Sequence, residues 1–244
     1  MHVGRFYDRY FSPMDISCLM KECGVDYYVV SSTTQCEEDY PGVIREIKEL
    51  IRIDKTKVLP AIWITPRGLQ GDIEWYLETK IKWRMIKVHP EINPTEWLPE
   101  SNNFLEVVEI ASEMHLPILI HTAEKVFCEA RTFESLIAKY PNITFILAHG
   151  RPAKQALSIL RIYENAFADS AFMSVQQMQR FIEKGLSHKL IWGTDMCIPK
   201  HFYPNKDMAE YYRGKVNAFQ KVCTQNQFEQ VMFRNASKIF NLKL

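Results

Sequence analysis

Short apolar runs rich in β-branched residues recur along the chain, and a stretch with helical periodicity follows each of them. Near-continuous apolar runs are typical of strands that are buried on both faces of a parallel sheet. The complete runs are DYYVVSS, VLPAIWIT, MIKVH, PILIH, TFILAH, AFADS and LIWGTD. Successive runs end 20 to 34 residues apart, which is the length of a strand, a helix and two short loops. The pattern therefore predicts repeated βα units.

Eight such units form a TIM barrel, whose usual length of about 250 residues fits this chain of 244. Seven runs are complete. The same spacing places the end of an eighth near His2, which lies 29 residues before Ser31. We therefore predict an α/β fold, a distorted TIM (β/α)8-type barrel, in which His2 marks the carboxyl end of the first strand. Most of that first strand would be missing from this chain.

Several helix boundaries are also marked in the sequence. Ser12 followed by Pro13 predicts an N-cap and the first helical residue, and Gly24 predicts the end of that helix. Thr132 is predicted to cap a second helix, which Pro141 would end. The tail QFEQVMFRNASKIFNL predicts one or two short amphipathic helices. Because no linker or low-complexity stretch interrupts the chain, residues 1–244 are interpreted as one domain.

The charge composition limits the kinds of molecule that the protein is expected to bind. Lys and Arg total 30 against 29 Asp and Glu, so the net charge is +1. This balance does not favour nucleic-acid or membrane-surface binding, which requires a concentrated basic face. We therefore expect a small-molecule substrate, no nucleic acid and no membrane partner, and the pattern is compatible with a homo-oligomer. The 6 cysteines form no regular framework and no signal peptide is recognisable, so a cytoplasmic location is expected.

Metal-binding side chains stand at four of the predicted strand ends. They are His2, His121, His149 and Asp195. Active sites of TIM barrels gather at the carboxyl ends of the strands. Imidazole nitrogens and a carboxylate that converge there are suitable ligands for a divalent metal, with Zn2+ the expected ion.

Two more polar residues, Lys87 and His89, lie on one face of the strand MIKVH. A carboxylated Lys87 could bridge two metals, but an ammonium paired with a carboxylate inside the barrel is the commoner arrangement. His89 could line the pocket or serve a structural role. Both alternatives stay open for each residue at this stage.

The segments LPILIHTAE, ITFILAHGRPA, LIWGTDMCIP and RNASKIFNL resemble the amidohydrolase superfamily. The resemblance is strongest to the branch that includes aminocarboxymuconate-semialdehyde decarboxylase and uncharacterised metal-dependent hydrolases. It implies a metal bound by His2, His121 and Asp195, with His149 close to the substrate or a second metal. In a hydrolysis, Asp195 would hold the nucleophilic water and accept its proton, and His149 would polarise the substrate carbonyl or orient the nucleophile.

The chain departs from the family pattern at its first residues. The family's first strand ends in His-x-His, and His2, followed by Val3 and Gly4, matches the second His of that motif. The first His would fall before Met1. Either Met1 is an internal residue of a longer protein, or the site lacks one ligand.

We expect a metal-dependent hydrolase that cleaves a C–N or C–O bond of a small molecule with a metal-activated water. A metal-dependent decarboxylase is the first alternative, and a non-catalytic relative that lacks the first His is the second. A TatD-like nuclease is disfavoured, because that group has an acidic residue where this chain reads MIKVHP. Arg5 and Arg151 are the candidates for binding a substrate carboxylate.

Overall fold

A computed structural model describes residues 1–55, 57–71 and 73–243, with the backbone alone for residues 74 and 75. Strands and helices alternate along most of the chain. The strands are β1 (His2–Phe6), β2 (Arg9–Phe11), β3 (Tyr28–Ser32), β4 (Val58–Trp63), β5 (Met85–Val88), β6 (Ile118–His121), β7 (Phe145–Ala148), β8 (Ala166–Asp169) and β9 (Leu190–Ile191).

The helices follow the strands in the predicted rhythm. They are α1 (Pro13–Glu22), α2 (Tyr40–Ile53), α3 (Pro66–Gly71), α4 (Ile73–Glu78), α5 (Asn102–Met114), α6 (Glu134–Lys139), α7 (Ala153–Ile162), α8 (Val175–Glu183), α9 (Ile198–Phe202), α10 (Met208–Gln220), α11 (Gln225–Glu229) and α12 (Asn235–Phe240). A π-helical turn, Gln230–Arg234, joins α11 to α12. The prediction of short helices in the tail is confirmed.

Contacts between residues group the chain into two compact units. The first unit comprises residues 1–85 and 195–214, and the second comprises residues 86–194 and 215–244. Each unit is therefore built from two separate segments of the chain. The interpretation of residues 1–244 as one domain stays a prediction.

The sheet of the first unit contains β2, β1, β3 and β4 in that order. β1 pairs in parallel with β3 only through His2 with Ser31 and Val3 with Ser32. Its remaining residues pair with β2 in an antiparallel hairpin. His2 is thus level with the carboxyl end of β3, as predicted. The prediction that the strand ends at His2 is wrong, because β1 begins there and turns into a hairpin that the hydrophobic pattern did not reveal.

A buried carboxylate holds β1 in place within this unit. Glu46 on α2 is 4% exposed and accepts hydrogen bonds from the hydroxyls of Ser32 (2.6 Å) and Thr34 (2.9 Å). Thr34 Oγ1 in turn accepts from the backbone N–H of Arg5 at 2.9 Å. Gly4, at φ +97°, passes so close that a Cβ there would lie 2.5 Å from Glu46 Oε2. Only glycine combines this conformation with so little space.

The second unit contains β5 to β9, each paired in parallel with the next. Ile86, Ile118, Phe145 and Leu147 are fully buried, as expected of strands covered on both faces. The run LIWGTD forms a shorter strand than predicted, ending at Ile191. The backbone leaves the sheet there because the N–H of Trp192 donates to Val231 O at 2.9 Å.

One predicted helix start is confirmed and one is wrong. Ser12 caps α1 in a capping box with Asp15, and Gly24 follows its end with φ +66°. Thr132 does not cap α6. It lies within a 3-10 turn, Ala130–Phe133, and its hydroxyl donates to Val126 O at 2.5 Å instead of accepting from a helix N–H. Among the residues described, no helix is long and apolar enough to span a bilayer.

Candidate active-site residues

In the first unit, the His2 imidazole and the Asp195 carboxylate form a hydrogen-bonded pair. Nε2 of His2 lies 2.9 Å from Oδ1 of Asp195, with 4% and 18% of the two side chains exposed. Ser31 Oγ lies 3.2 Å from Nδ1 on the other side of the ring. Because a carboxylate only accepts, His2 donates from Nε2, and in the neutral ring Nδ1 then accepts from the Ser31 hydroxyl. The pairing of β1 with β3 brings Ser31 next to His2.

The backbone around this pair is also constrained. The N–H of His2 donates to the carbonyl of Met196, which ties the start of β1 to the segment that carries Asp195. Asp195 has φ +55°, a conformation that few residues other than glycine adopt. Such conformations cluster at functional sites, where the surrounding structure compensates for their cost.

In the second unit, His121 is the last residue of β6. Its Nε2 lies 3.0 Å from Oε2 of Glu91, whose other oxygen lies 2.5 Å from Nζ of Lys125. The ring of His89 stacks on that of His121, with 3.8 Å between centroids and 13° between planes. Glu91 therefore fixes the proton of His121 on Nε2, and in that tautomer Nδ1 carries the lone pair.

Burial and neighbouring charges set the protonation of His121. Burial, followed by the electrostatic effects of His149 and Lys87, lowers the pKa of His121 to about 3, although Glu91 acts in the opposite direction. The hydrogen bond from Lys125, reinforced by His121, lowers the pKa of Glu91. At neutral pH this is a neutral imidazole beside a carboxylate, and the neutral form is the one that binds metals.

His149 directly follows β7 and has φ +66°. It is 7% exposed, and its ring centroid lies 5.0 Å from that of His121. Nδ1 donates to the carbonyl of Ala171 at 3.2 Å. Since a carbonyl only accepts, the proton lies on Nδ1 and the lone pair on Nε2.

Of the other residues predicted from the sequence, Lys87 is buried, whereas the side chains of Arg151 and Arg5 are partly exposed. Lys87 on β5 is 7% exposed, and its charge acts on His121. Arg151 lies beside Glu124, with Nε and Oε1 3.9 Å apart. Arg5, in the first unit, is 57% exposed at its side chain and lies 3.5 Å from Glu37. The roles proposed for the two arginines stay predictions.

The side chains of these candidate residues provide the types of donor atom that bind divalent metals. Neutral imidazoles and carboxylates are common zinc ligands, and a ligand His whose second ring nitrogen donates to a fixed acceptor is the usual arrangement. His121 and His149 have this arrangement. Within the part of the chain that the structure describes, no three His, Cys, Asp or Glu side chains are grouped to hold a metal. The residues are therefore seen as pairs, His2 with Asp195 and His121 with His149.

A family model described as amidohydrolase matches residues 19–242, which is most of the chain. The chain belongs to the amidohydrolase family. His121, His149 and Asp195 lie inside the matched region of this amidohydrolase, and His2 lies before it. No curated protein matches the sequence.

Solved structures show the same fold at low sequence identity. An uncharacterised TIM-barrel protein from Bordetella bronchiseptica has a TM-score of 0.71 and 13% identity, over 93% of this chain and 82% of the other. A zinc-bound amidohydrolase from Burkholderia multivorans has a TM-score of 0.68 and 10% identity, over 96% and 90%. A manganese complex of 5-carboxyvanillate decarboxylase from Novosphingobium aromaticivorans has a TM-score of 0.65 and 13% identity, over 93% and 79%.

These similarities confirm a fold of the distorted TIM (β/α)8 type for this amidohydrolase. Ser31 and Glu91, which hydrogen bond to the candidate histidines, were not among the residues predicted from the sequence. Both follow the predicted strand pattern, Ser31 in the run DYYVVSS and Glu91 two residues after His89. A polar residue at or near a predicted strand end was the signal that could have identified them. Their histidine partners lie 29 and 30 residues away in sequence, so the sequence alone does not indicate the pairing.

Proposed function

We propose that this amidohydrolase is a metal-dependent hydrolase that cleaves a C–N or C–O bond of a small molecule. The observation that carries the proposal is the fixed tautomer of two neighbouring imidazoles. His121 donates from Nε2 to Glu91 and His149 donates from Nδ1 to Ala171 O. Each ring therefore presents a lone pair on its other nitrogen, as a metal ligand or a group that orients a nucleophilic water requires.

The resemblance assigns His2, His121 and Asp195 as metal ligands, with His149 beside the substrate or a second metal. Zn2+ is the expected ion. A bound divalent ion would lower the pKa of water from 15.7 to about 7. Asp195 would accept the proton of the attacking water at its carboxylate. His149 would accept a hydrogen bond from the nucleophilic water at Nε2 and so orient it.

Asp195 is the residue whose replacement tests this proposal most directly. In the metal-loaded protein, Asp195→Asn should abolish turnover on a panel of esters, lactones and amides, because the amide accepts no proton. Asp8→Asn is a matched control, since Asp8 belongs to the same unit and its side chain is 78% exposed. Full turnover by Asp195→Asn would contradict the role given to this carboxylate.

A decarboxylase is the second candidate, and the similarity to 5-carboxyvanillate decarboxylase is the observation that favours it. The two activities differ in their product. Release of carbon dioxide from a carboxylated aromatic compound, with no hydrolysis of the panel, would select decarboxylation. Absence of both reactions in protein shown by elemental analysis to contain metal would instead support a non-catalytic relative.

A further inference from the structure

Asp169, the last residue of β8, contacts the segment around His149 at several points. Its Oδ1 accepts a hydrogen bond from the backbone N–H of His149 at 3.0 Å and another from the N–H of Ala171 at 2.8 Å. The carbonyl of Ala171 accepts the Nδ1 proton of His149 at 3.2 Å. The carboxylate thus holds both the backbone of His149 and the residue that fixes its ring.

We infer that Asp169 is a positioning residue that sets the backbone conformation and the ring tautomer of His149. The inference rests on the proposed function, in which the lone pair on Nε2 of His149 orients the nucleophilic water. His149 is held at φ +66°, which is unfavourable for a residue with a side chain. The bond from its N–H to Asp169 stabilises that conformation.

The tautomer follows from the same arrangement. With Ala171 held by Asp169, its carbonyl faces Nδ1, so a proton on Nδ1 is bonded. In the other tautomer the lone pairs of Nδ1 and the carbonyl would face each other. The bond to Ala171 O therefore keeps the proton on Nδ1 and the lone pair on Nε2. Oδ1 of Asp169, 3.9 Å from Nδ1, favours the same tautomer.

The structure leaves just enough room for the Asp169 side chain. A Cβ at Gly193 would lie 3.1 Å from Cβ and Cγ of Asp169 and 3.2 Å from its Oδ1. Gly193 is fixed in turn, since its N–H donates to Ser170 Oγ at 3.0 Å. Adding a methyl group at Gly193 should therefore displace the carboxylate without removing it.

The test is the tautomer of His149, read from 15N shifts of the imidazole nitrogens in metal-free protein at a pH of about 8, where histidine is neutral. The wild type should show a single Nδ1–H tautomer. Asp169→Asn should keep it, because the amide oxygen still accepts both bonds. Asp169→Ala should give a mixture in which the Nε2–H form is populated. If Asp169→Ala does not fold, Gly193→Ala serves as the second variant, and its 15N shifts should change in the same direction.

Ser174→Ala is the control for a merely structural effect. It removes the capping box of α8 in the same unit and should lower the denaturation midpoint while leaving the His149 tautomer unchanged. An unchanged tautomer in both Asp169→Ala and Gly193→Ala would overturn the inference. So would a tautomer change in Ser174→Ala of the same size as in Asp169→Ala. Since the readout needs no substrate, it is independent of whether the proposed hydrolysis is found.

Discussion

The imidazole of His121 is enclosed on most sides, with 15% of its side chain exposed. Burial there favours the neutral form, and the electrostatic effects of His149 and Lys87 act in the same direction. A buried neutral imidazole of this kind lowers the stability of the folded protein in acid. An unfolded chain would take up a proton at a pKa of about 6.5, whereas the folded protein resists protonation.

We predict that His121 makes folding sensitive to acid. Because its pKa in the folded protein is about 3, stability should fall as the pH drops below about 6.5 and continue to fall towards pH 3. Between about pH 7 and pH 5 the loss from this residue should be on the order of 1–2 kcal/mol. Urea denaturation of the metal-free protein at both pH values measures it.

His121→Asn should reduce this acid sensitivity, because asparagine does not titrate. His115→Asn is the control, since His115 is exposed and ends α5 in a left-handed conformation that asparagine also adopts. Equal acid sensitivity in the wild type and in His121→Asn would show that the buried imidazole is not the cause.

The identities of the candidate residues could be predicted from sequence, but their partners could not. The hydrophobic runs place His121 at the end of β6 and His149 directly after β7, whereas Asp195 lies four residues beyond the end of β9. Glu91 hydrogen bonds to His121 only because β5 and β6 are neighbours. No local pattern carries that information.

Among the elements of the fold, the strands are those whose positions the sequence predicts best. β3 to β8 end within two residues of the predicted positions, since burial on both faces leaves a continuous apolar signal. β1 and β9 differ from the prediction for reasons that are not local. β9 stops where Trp192 bonds to Val231, and β1 changes partner at Gly4.

The change of direction in β1 leads to a second prediction. Gly4→Ala should destabilise the protein by roughly 1–3 kcal/mol, because a methyl group would meet Glu46 and Thr34 at 2.5 Å and the backbone would be strained. Gly24→Ala is a matched control with φ +66° and no atom within 4 Å. It should cost about 1 kcal/mol. Equal losses in the two variants, measured by urea unfolding, would mean that the crowding around Glu46 is unimportant.

At the scale of the whole molecule, each compact unit draws on two separate stretches of the chain. Residues 1–85 alone lack the segment 195–214, which supplies Asp195 to His2 and the Met196 carbonyl to its N–H. A fragment of the first unit is therefore incomplete unless both stretches are present.

We predict that a fragment of residues 1–85 does not unfold cooperatively. A second fragment, in which a flexible Gly-Ser linker joins residues 1–85 to 195–214, should show more helix by circular dichroism and a cooperative urea transition. A version of the linked fragment with Asp195→Ala tests whether the hydrogen bond from His2 to this carboxylate contributes. The idea fails if residues 1–85 alone unfold as cooperatively as the linked fragment.

The divided first unit also affects how the protein emerges from the ribosome. Residues 86–194, 109 residues in all, separate its two stretches, and translation adds about 5–20 residues per second. The nascent amino-terminal segment, with His2 at its start, therefore waits on the order of ten seconds for Asp195 to be synthesised. During that interval β1 has neither its carboxylate partner nor the Met196 carbonyl, so chaperones would have time to act on it.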